Sequence, residues 1–225
     1  LMREAGAIGA DEEPTDEELR RFDKQRANKK VSNDEWVSTT DSDSRITKMK
    51  KGPTHLAYKA EHVVDLDSEF LLAATVHGGD AADTDTLCDS VVEARVNLQE
   101  AGSDGKVAEV VNDKGYHAAA TIELCDSLSM RTYTAEPQRP HRARWTDKPP
   151  EFQRAVYGNR RRTRGKRGKR LQRKRSELVE RSFAHVCETG GARRCWLRGL
   201  LKVTKRYLLQ AAARNLGLLM RKLFG

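Results

Sequence analysis

The sequence predicts an α/β fold in which a mixed β-sheet carries helices on its faces, and two patterns support this. Two strand-like runs, at about 55–64 and 70–76, are separated by the turn-like Asp-Leu-Asp-Ser and predict an antiparallel hairpin. Helical and strand-like segments then alternate, which is typical of crossover connections between strands. Ligand sites in such sheets gather at the carboxyl ends of strands.

Hydrophobic spacing and turn residues define the later elements. Residues 83–101 predict a helix with an apolar face of Leu87, Val91, Val92 and Val96, ended by Gly102. Next come a short strand at 106–113, a helix at 117–129 and a strand at 131–137.

Two parts are predicted, with a boundary near residue 50. Residues 1–50 are interpreted as a polar linker or insertion remnant, with one short helix capped by Thr15 and Glu18. Residues 51–225 form the main domain. Its C-terminal helices, in 176–225, comprise one capped by Ser176 and ended by Gly190-Gly191, and a long amphipathic one at 200–223 whose apolar residues pack on the sheet.

The charge is placed unevenly. Residues 138–225 carry a net charge of +21, whereas residues 1–137 carry −12. Residues 138–175 are dominated by Lys and Arg with interspersed glycines, which predicts a flexible basic arm in the free protein. Such a density of positive charge indicates a phosphate-backbone partner, although a solvated basic segment without a specific partner is the alternative.

Several classes of protein are disfavoured. No apolar run approaches the roughly 20 residues of a membrane span, and no secretory signal begins the sequence. The four cysteines lack Cys-x-x-Cys spacing, so we expect reduced cytoplasmic thiols rather than a zinc site or a disulfide framework. The sequence contains neither a Gly-x-Ser-x-Gly nor a His-Glu-x-x-His motif, so a soluble hydrolase lacks support.

Two carboxylates stand out. Asp113 follows the apolar run of a short strand, where it is either an ordinary turn residue or a metal ligand. Glu180 lies in a predicted helix near Arg175 and Arg181, where an ion pair within the helix is the simpler interpretation.

Taken in order, the segments VNDKGY, ELVERSF and GGARRCWLRGLLKV resemble insertion-sequence transposases of the DDE type. The resemblance is to the branch of type-four and type-five insertion sequences, and DSDSRITKMKKGPTHLAYKAEHVVDLDS also matches that branch. It covers nearly the whole chain and is carried by the ordered set of segments.

The resemblance implies an RNase H-like catalytic domain in residues 51–225, in which three carboxylates hold two Mg²⁺ or Mn²⁺ ions for DNA cleavage and strand transfer. By position, Asp113 is the second acid and Glu180 the third. The basic residues implied to hold DNA are Arg160, Arg161, Arg162, Arg164, Lys166, Arg167, Lys169, Arg170, Arg175 and Arg181. Implied partners are terminal-repeat and target DNA in a bacterial cytoplasm, near the nucleoid, and the resemblance allows a homodimer on DNA.

The chain departs from the family's pattern at the first acid. In this branch that acid lies on the first strand, in an Asp-Ser/Thr-Thr context, and no such strand is found here. We expect that acid upstream of Leu1, in a fold that is N-terminally incomplete and a copy that is inactive by itself. Asp65 is the only replacement considered, and a hairpin-turn role explains it better. The competing hypothesis is a non-catalytic, basic nucleic-acid-binding protein, which would have no use for paired acids.

Overall fold

The computed structural model describes residues 1–27, 32–48, 52–138 and 145–225, and these form a mixed α/β structure. Its helices are α1 Asp16–Gln25, α2 Ser32–Glu35, α3 Asp83–Glu100, α4 Ala119–Ser127, α5 Pro150–Arg164, α6 Lys166–Phe183 and α7 Leu200–Phe224. Its strands are β1 Arg45–Lys48, β2 Thr54–Val64, β3 Leu71–Gly78, β4 Glu109–Asn112 and β5 Arg131–Thr134. The predicted hairpin, the strands after it and the long last helix are confirmed, whereas β1 was not anticipated. No helix in the described ranges is both long and apolar enough to cross a membrane.

The chain divides into two compact units, Leu1–Val37 and Ser38–Gly225. Within the first unit, Thr15 and Glu18 form the expected capping box of α1. The segment after Val37 belongs to the second unit because its carboxylates accept hydrogen bonds from residues of that unit. Asp41 accepts hydrogen bonds from the Tyr58 hydroxyl at 2.8 Å and from the Gly199 amide at 3.0 Å, at the start of α7.

The strands form two small sheets in the described ranges. β2 pairs antiparallel with β1 through Thr54–Ala57 and with β3 through Tyr58–Val64. β4 pairs with β5 in parallel, and α4 connects them. The expected mixture of strand directions is therefore present, but no strand pairing among the described residues joins the two sheets.

Asp65 occupies the β2–β3 turn as a structural residue. Its carboxylate accepts a hydrogen bond from the Ser68 amide at 2.8 Å and another from the Ser68 hydroxyl. Burial opposes ionisation, but these hydrogen bonds hold the pKa of Asp65 below its usual value. The hairpin-turn interpretation of Asp65 is thus supported by its contacts.

Neighbouring side chains of β2 bind helices on opposite faces of the sheet, as the alternation of a strand requires. Glu61 accepts hydrogen bonds from Thr86 and Ser90 of α3. His62 bonds to Ser182 of α6 and Tyr207 of α7, each at 2.7 Å. Helix α3 therefore covers one face, and α6 and α7 cover the other.

The inner face of α3 differs in part from the prediction. Leu87 and Val91 are buried as expected, but Val92 and Val96 are exposed. Thr86, Ser90 and Ala94 take the remaining inward positions. Hydrophobic spacing alone missed Ser90 because this polar side chain is directed inward by its bond to Glu61.

The flexible-arm prediction is wrong for residues 150–175, which lie in α5 and α6; residues 139–144 lie outside the described residues. Ala155 and Val156 pack against Ile122 of α4. The buried Asn159 side chain accepts from the Thr134 amide and donates to the Thr134 carbonyl, extending the edge of β5. These contacts overcome the charge repulsion on which the prediction relied.

Ser176 does not cap a helix, because α6 runs without a break from Lys166. At the other end the expected stop is confirmed: a π-helical turn, Ala184–Thr189, leads into Gly190 and then Gly191, whose φ of +71° suits glycine.

The expected packing of α7 holds for one side of the helix only. Val203, Tyr207, Ala211 and Leu218 are buried, and the first three share a core cluster with Leu71 and Val76 of β3. Other apolar residues of the helix are exposed, among them Leu201, Leu209, Leu216 and Leu223.

Glu61→Gln is expected to lower the free energy of unfolding by about 1.5–3 kcal/mol at pH 7, since Lys59 loses one of its two carboxylate partners and Thr86 and Ser90 lose a charged acceptor. Burial opposes ionisation, but the bonds from Lys59, Thr86 and Ser90 lower the pKa of Glu61 below 4.5. The stabilisation is therefore present above pH 4.5 and is lost as the pH falls through the folded-state value.

Urea denaturation of wild type and Glu61→Gln between pH 7 and pH 3 measures this effect. The control is Glu93→Gln, which alters an exposed carboxylate on α3, the helix that Glu61 contacts, and should change stability by less than about 0.5 kcal/mol. A wild-type–variant difference that stays constant over this pH range would contradict the assignment.

Gly168→Ala is expected to destabilise the protein by about 1–3 kcal/mol, as overpacking does. A Cβ there would lie 2.2 Å from the Arg162 carbonyl oxygen and 2.7 Å from that of Thr163. Gly217→Ala in α7 is the matched control, since its Cβ would meet only the end of the Arg221 side chain at 3.7 Å. It should stabilise by about 0.5–1 kcal/mol through helix propensity. If thermal unfolding showed both variants stabilised, the close approach of α6 to α5 would be disproved.

Candidate functional site

A cavity of ≈ 1260 Å³ lies between β2 and β4. Its lining includes Lys59–Asp65 of β2 and the following turn, Ala108–Asp113 in and beside β4, and residues of α3 and α6. Carboxylates, basic residues and the predicted acid Asp113 therefore share one space.

One end of the cavity is organised by the buried carboxylate of Glu61. Lys59 Nζ lies 2.8 Å from Glu61 and 2.6 Å from Asp83. The Tyr116 hydroxyl donates to Glu61 at 3.3 Å. Burial, together with the neighbouring Glu61 and Asp83, raises the pKa of Tyr116. This phenol therefore stays protonated and acts as a donor.

Asp113 lies at the carboxyl end of β4, as the sequence predicts. Its carboxylate accepts a bond from the Lys114 amide and so caps a short 3₁₀ turn, Lys114–Tyr116. The side chain is 56% exposed, and Arg175 Nη2 of α6 approaches it at 3.9 Å. An exposed carboxylate on the rim of a cavity is available to a ligand.

Glu180 lies on the exposed side of α6. Its carboxylate accepts a bond at 2.8 Å from the Ser176 hydroxyl one turn earlier. Arg181, the expected ion-pair partner, binds Glu69 and Glu177 instead. Glu180 does not line the cavity, whereas its helical neighbours Val179 and Phe183 do. No contact in the described residues joins Asp113 to Glu180, so a cation shared by the two stays a prediction.

The described carboxylates do not fit a two-metal centre by themselves. Within the ranges that the structure covers, no three or more His, Cys, Asp or Glu side chains converge as metal ligands. Asp65, the candidate substitute, is bound to Ser68, and Glu61 is bound to Lys59.

Half of the predicted DNA-binding residues make contacts within the chain. Arg160 binds Glu136, Arg167 binds Glu109, and Arg162 donates to the Thr132 carbonyl. Arg175 and Arg181 approach the carboxylates described above. The other five side chains form no hydrogen bond or ion pair with any described residue; they are Arg161, Arg164, Lys166, Lys169 and Arg170. We call these five the free basic row.

The free basic row spans the junction of α5 and α6, and all five of its residues are exposed. A surface of this kind can bind phosphate groups without first breaking internal ion pairs. It therefore fits the polyanion partner that the charge distribution predicts.

The sequence interpretation missed Lys59, Glu61 and Asp83. One pattern could have revealed the first two: they are charged residues at i and i+2 in a strand, so they share one face. The position of Asp83 against β2 depends on how α3 packs, which no local pattern encodes.

The comparisons with known proteins give one match. No curated protein and no solved structure matches the chain. A family described as "Transposase DDE domain" matches residues 123–220. The matched segment runs from α4 into α7, so it contains Glu180 and all ten predicted DNA-binding residues, while Asp113 lies before it. Residues 123–220, less than half of the chain, are therefore similar to a transposase DDE domain, which is consistent with the C-terminal part of an insertion-sequence DDE transposase.

Proposed function

We propose that the chain is part of the catalytic domain of an insertion-sequence transposase, which cleaves element ends and joins them to target DNA. The observation that carries this proposal is the match of residues 123–220 to the transposase DDE domain. The free basic row on α5 and α6 lies inside that segment, so the DNA-binding surface and the family match coincide.

In this proposal Asp113 and Glu180 are two of the three acids, and Mg²⁺ or Mn²⁺ is the cofactor. When bound, such ions activate the attacking oxygen and stabilise the leaving one. The described carboxylates do not form that centre, so we assign no step to a metal here. We propose instead that the first acid is not among the described carboxylates.

The chain's own residues support the DNA-binding part of the proposal. The free basic row would hold phosphates, while Arg160 and Arg162 brace α5 against Glu136 and Thr132. Replacing the braced residues should therefore affect stability first. Replacing the free basic row should affect DNA binding first.

Replacement of Arg161, Arg164, Lys166 and Lys169 by Ala is expected to weaken binding to duplex DNA similarly for all sequences. It should also reduce the slope of log affinity against log salt by about 0.9 for each phosphate that the variant no longer neutralises. Fluorescence anisotropy from about 50 to 200 mM salt provides the measurement.

The matched control replaces Arg194, Arg198, Lys202 and Lys205, four exposed basic residues outside the free basic row. It removes the same charge, so a general loss of electrostatic attraction would affect both variants equally. An equal change of slope would rule out the free basic row as the contact surface.

Mn²⁺ uptake distinguishes the transposase from a non-catalytic nucleic-acid-binding protein. Weak uptake is expected in the wild type and should be lost in Asp113→Asn and in Glu180→Gln, because a shared cation needs both carboxylates. Glu177→Gln, at another exposed carboxylate of α6, should retain it. Electron paramagnetic resonance of free Mn²⁺ gives the bound fraction, and identical uptake by all four proteins would favour the non-catalytic alternative.

Strand cleavage and transfer should not proceed at a useful rate with residues 1–225 alone, in Mg²⁺ or in Mn²⁺. A missing ligand removes electrostatic stabilisation of the transition state that is commonly worth several kcal/mol, which is orders of magnitude in rate. A strand-transfer assay on candidate terminal repeats tests this. Robust turnover that disappears in Asp65→Asn would overturn the expectation and make Asp65 the first acid.

A further inference from the structure

One side of α7 is apolar and exposed to solvent. Val203, Tyr207 and Ala211 lie on the other side, where they share a buried core cluster with residues of β3. Exposed apolar patches of this size on a protein surface mark sites of interaction. The side chains of this patch are each at least 40% exposed, and they are Leu208, Leu209, Leu216, Leu219, Met220 and Leu223.

The spacing within this patch is that of a coiled-coil seam. Leu209, Leu216 and Leu223 recur every seven residues, and Ala212 and Leu219 lie between them at intervals of three and four. We call these five residues the α7 seam. Residues with this spacing form one stripe along a helix and interlock with the side chains of a second helix that lies alongside. The seam extends over about four turns, or about 21 Å, so the occupant that its geometry fits is an amphipathic helix.

The charges beside the α7 seam are of one sign. Lys202 and Lys205 occupy the same two heptad positions as Leu209 and Ala212, one repeat earlier, and both are exposed. Neither lysine forms a hydrogen bond or an ion pair with a described residue. Because residues 192–225 contain no Asp or Glu, a second copy of α7 would bring only positive charges to the seam in either orientation. Like charges oppose such a pair, whereas a helix that carries carboxylates is complementary.

A lipid surface is the other partner that a basic, apolar helix can have. Interfacial helices carry a polar, basic side along their length while the apolar side enters the bilayer. In α7 the side opposite the seam is instead packed against β3. Between Lys205 and Arg221 the basic residues are Arg206 and Arg214, and both donate to backbone carbonyls. Since the middle of the seam has no free basic side chain beside it, the arrangement favours a protein helix over a membrane.

We propose that the α7 seam is a docking surface for an acidic amphipathic helix of a partner protein, with apolar residues at heptad spacing and carboxylates level with Lys202 and Lys205. The inference goes beyond the proposed function, because it involves neither DNA nor a metal ion. Burial of the leucines would provide affinity. The two lysines lie at the N-terminal end of the seam, so they would also select the direction in which the partner helix runs.

The probe is a labelled synthetic helix with Leu at the first and fourth positions of every heptad, Glu at the fifth and seventh, and Ala or Gln elsewhere. A control peptide has the same composition, but its leucines are moved off the heptad spacing. Fluorescence anisotropy at about 150 mM salt, where long-range attraction is screened, should show at least tenfold tighter binding of the heptad peptide. Because both peptides carry the same charge, attraction to the free basic row would act equally on both.

Leu216→Gln, in the middle of the α7 seam, should weaken binding of the heptad peptide at least tenfold and leave duplex DNA binding unchanged. Leu124→Gln makes the same change at an exposed position of α4 and should leave peptide binding unchanged. Lys205→Glu should weaken binding of the Glu peptide and strengthen binding of the same peptide with Lys in place of Glu. All three substitutions are at exposed positions, so the fold should be retained.

Equal binding of the heptad and control peptides would overturn the proposal, and that comparison needs no variant of the protein. Peptide binding that Leu216→Gln does not weaken would overturn it as well. A dimer that forms without peptide and is lost in Leu216→Gln would replace the acidic helix by a second copy. Failure of the heptad peptide to bind, together with sedimentation on anionic phosphatidylserine vesicles that Leu216→Gln abolishes, would replace it by a lipid surface.

Discussion

Two adjacent side chains in β2, Glu61 and His62, hold the two helical layers to the sheet. Glu61 binds Thr86 and Ser90 of α3 on one face. On the other face His62 bonds to Ser182 and Tyr207 and stacks on Phe183 at 3.9 Å between ring centroids. Burial lowers the pKa of His62 to about 3, so the ring is neutral and can donate through one nitrogen and accept through the other. The alternation of side chains along β2 therefore determines which helices form the walls of the cavity, and it positions α6, which carries Glu180.

Sequence patterns predicted the parts of this arrangement that depend on local chemistry. The hairpin followed from two apolar runs around an Asp-rich turn, and Asp65 is indeed bound by Ser68 there. The capping box of α1 and the glycine stop after Thr189 are equally local. Asp113 was placed at the end of β4 because the apolar run ends at Val111, two residues before it. How Asp113 and Glu180 relate to each other stays a prediction, because it depends on the packing of α6 against β4.

The flexible-arm prediction failed because composition does not show where charges are compensated. Arg160 and Arg167 are paired with Glu136 and Glu109, which lie 24 and 58 positions earlier in the chain. Gly168 promotes close packing rather than flexibility, since its missing side chain lets α6 start against the Arg162 carbonyl. Within one basic segment, some side chains therefore stabilise the fold and the free basic row remains for a polyanion. Only tertiary contacts separate these two groups.

The cavity connects the carboxyl end of β4 with the charged cluster around Glu61. Asp113 lies on its rim, where β4 ends, and Glu61 is held by Lys59 at the same end. Val179 and Phe183, the helical neighbours of Glu180, line the same cavity. Because the buried carboxylate of Glu61 is already paired with Lys59, whereas the Asp113 side chain is 56% exposed, Asp113 is the one of these two carboxylates that is open to a ligand.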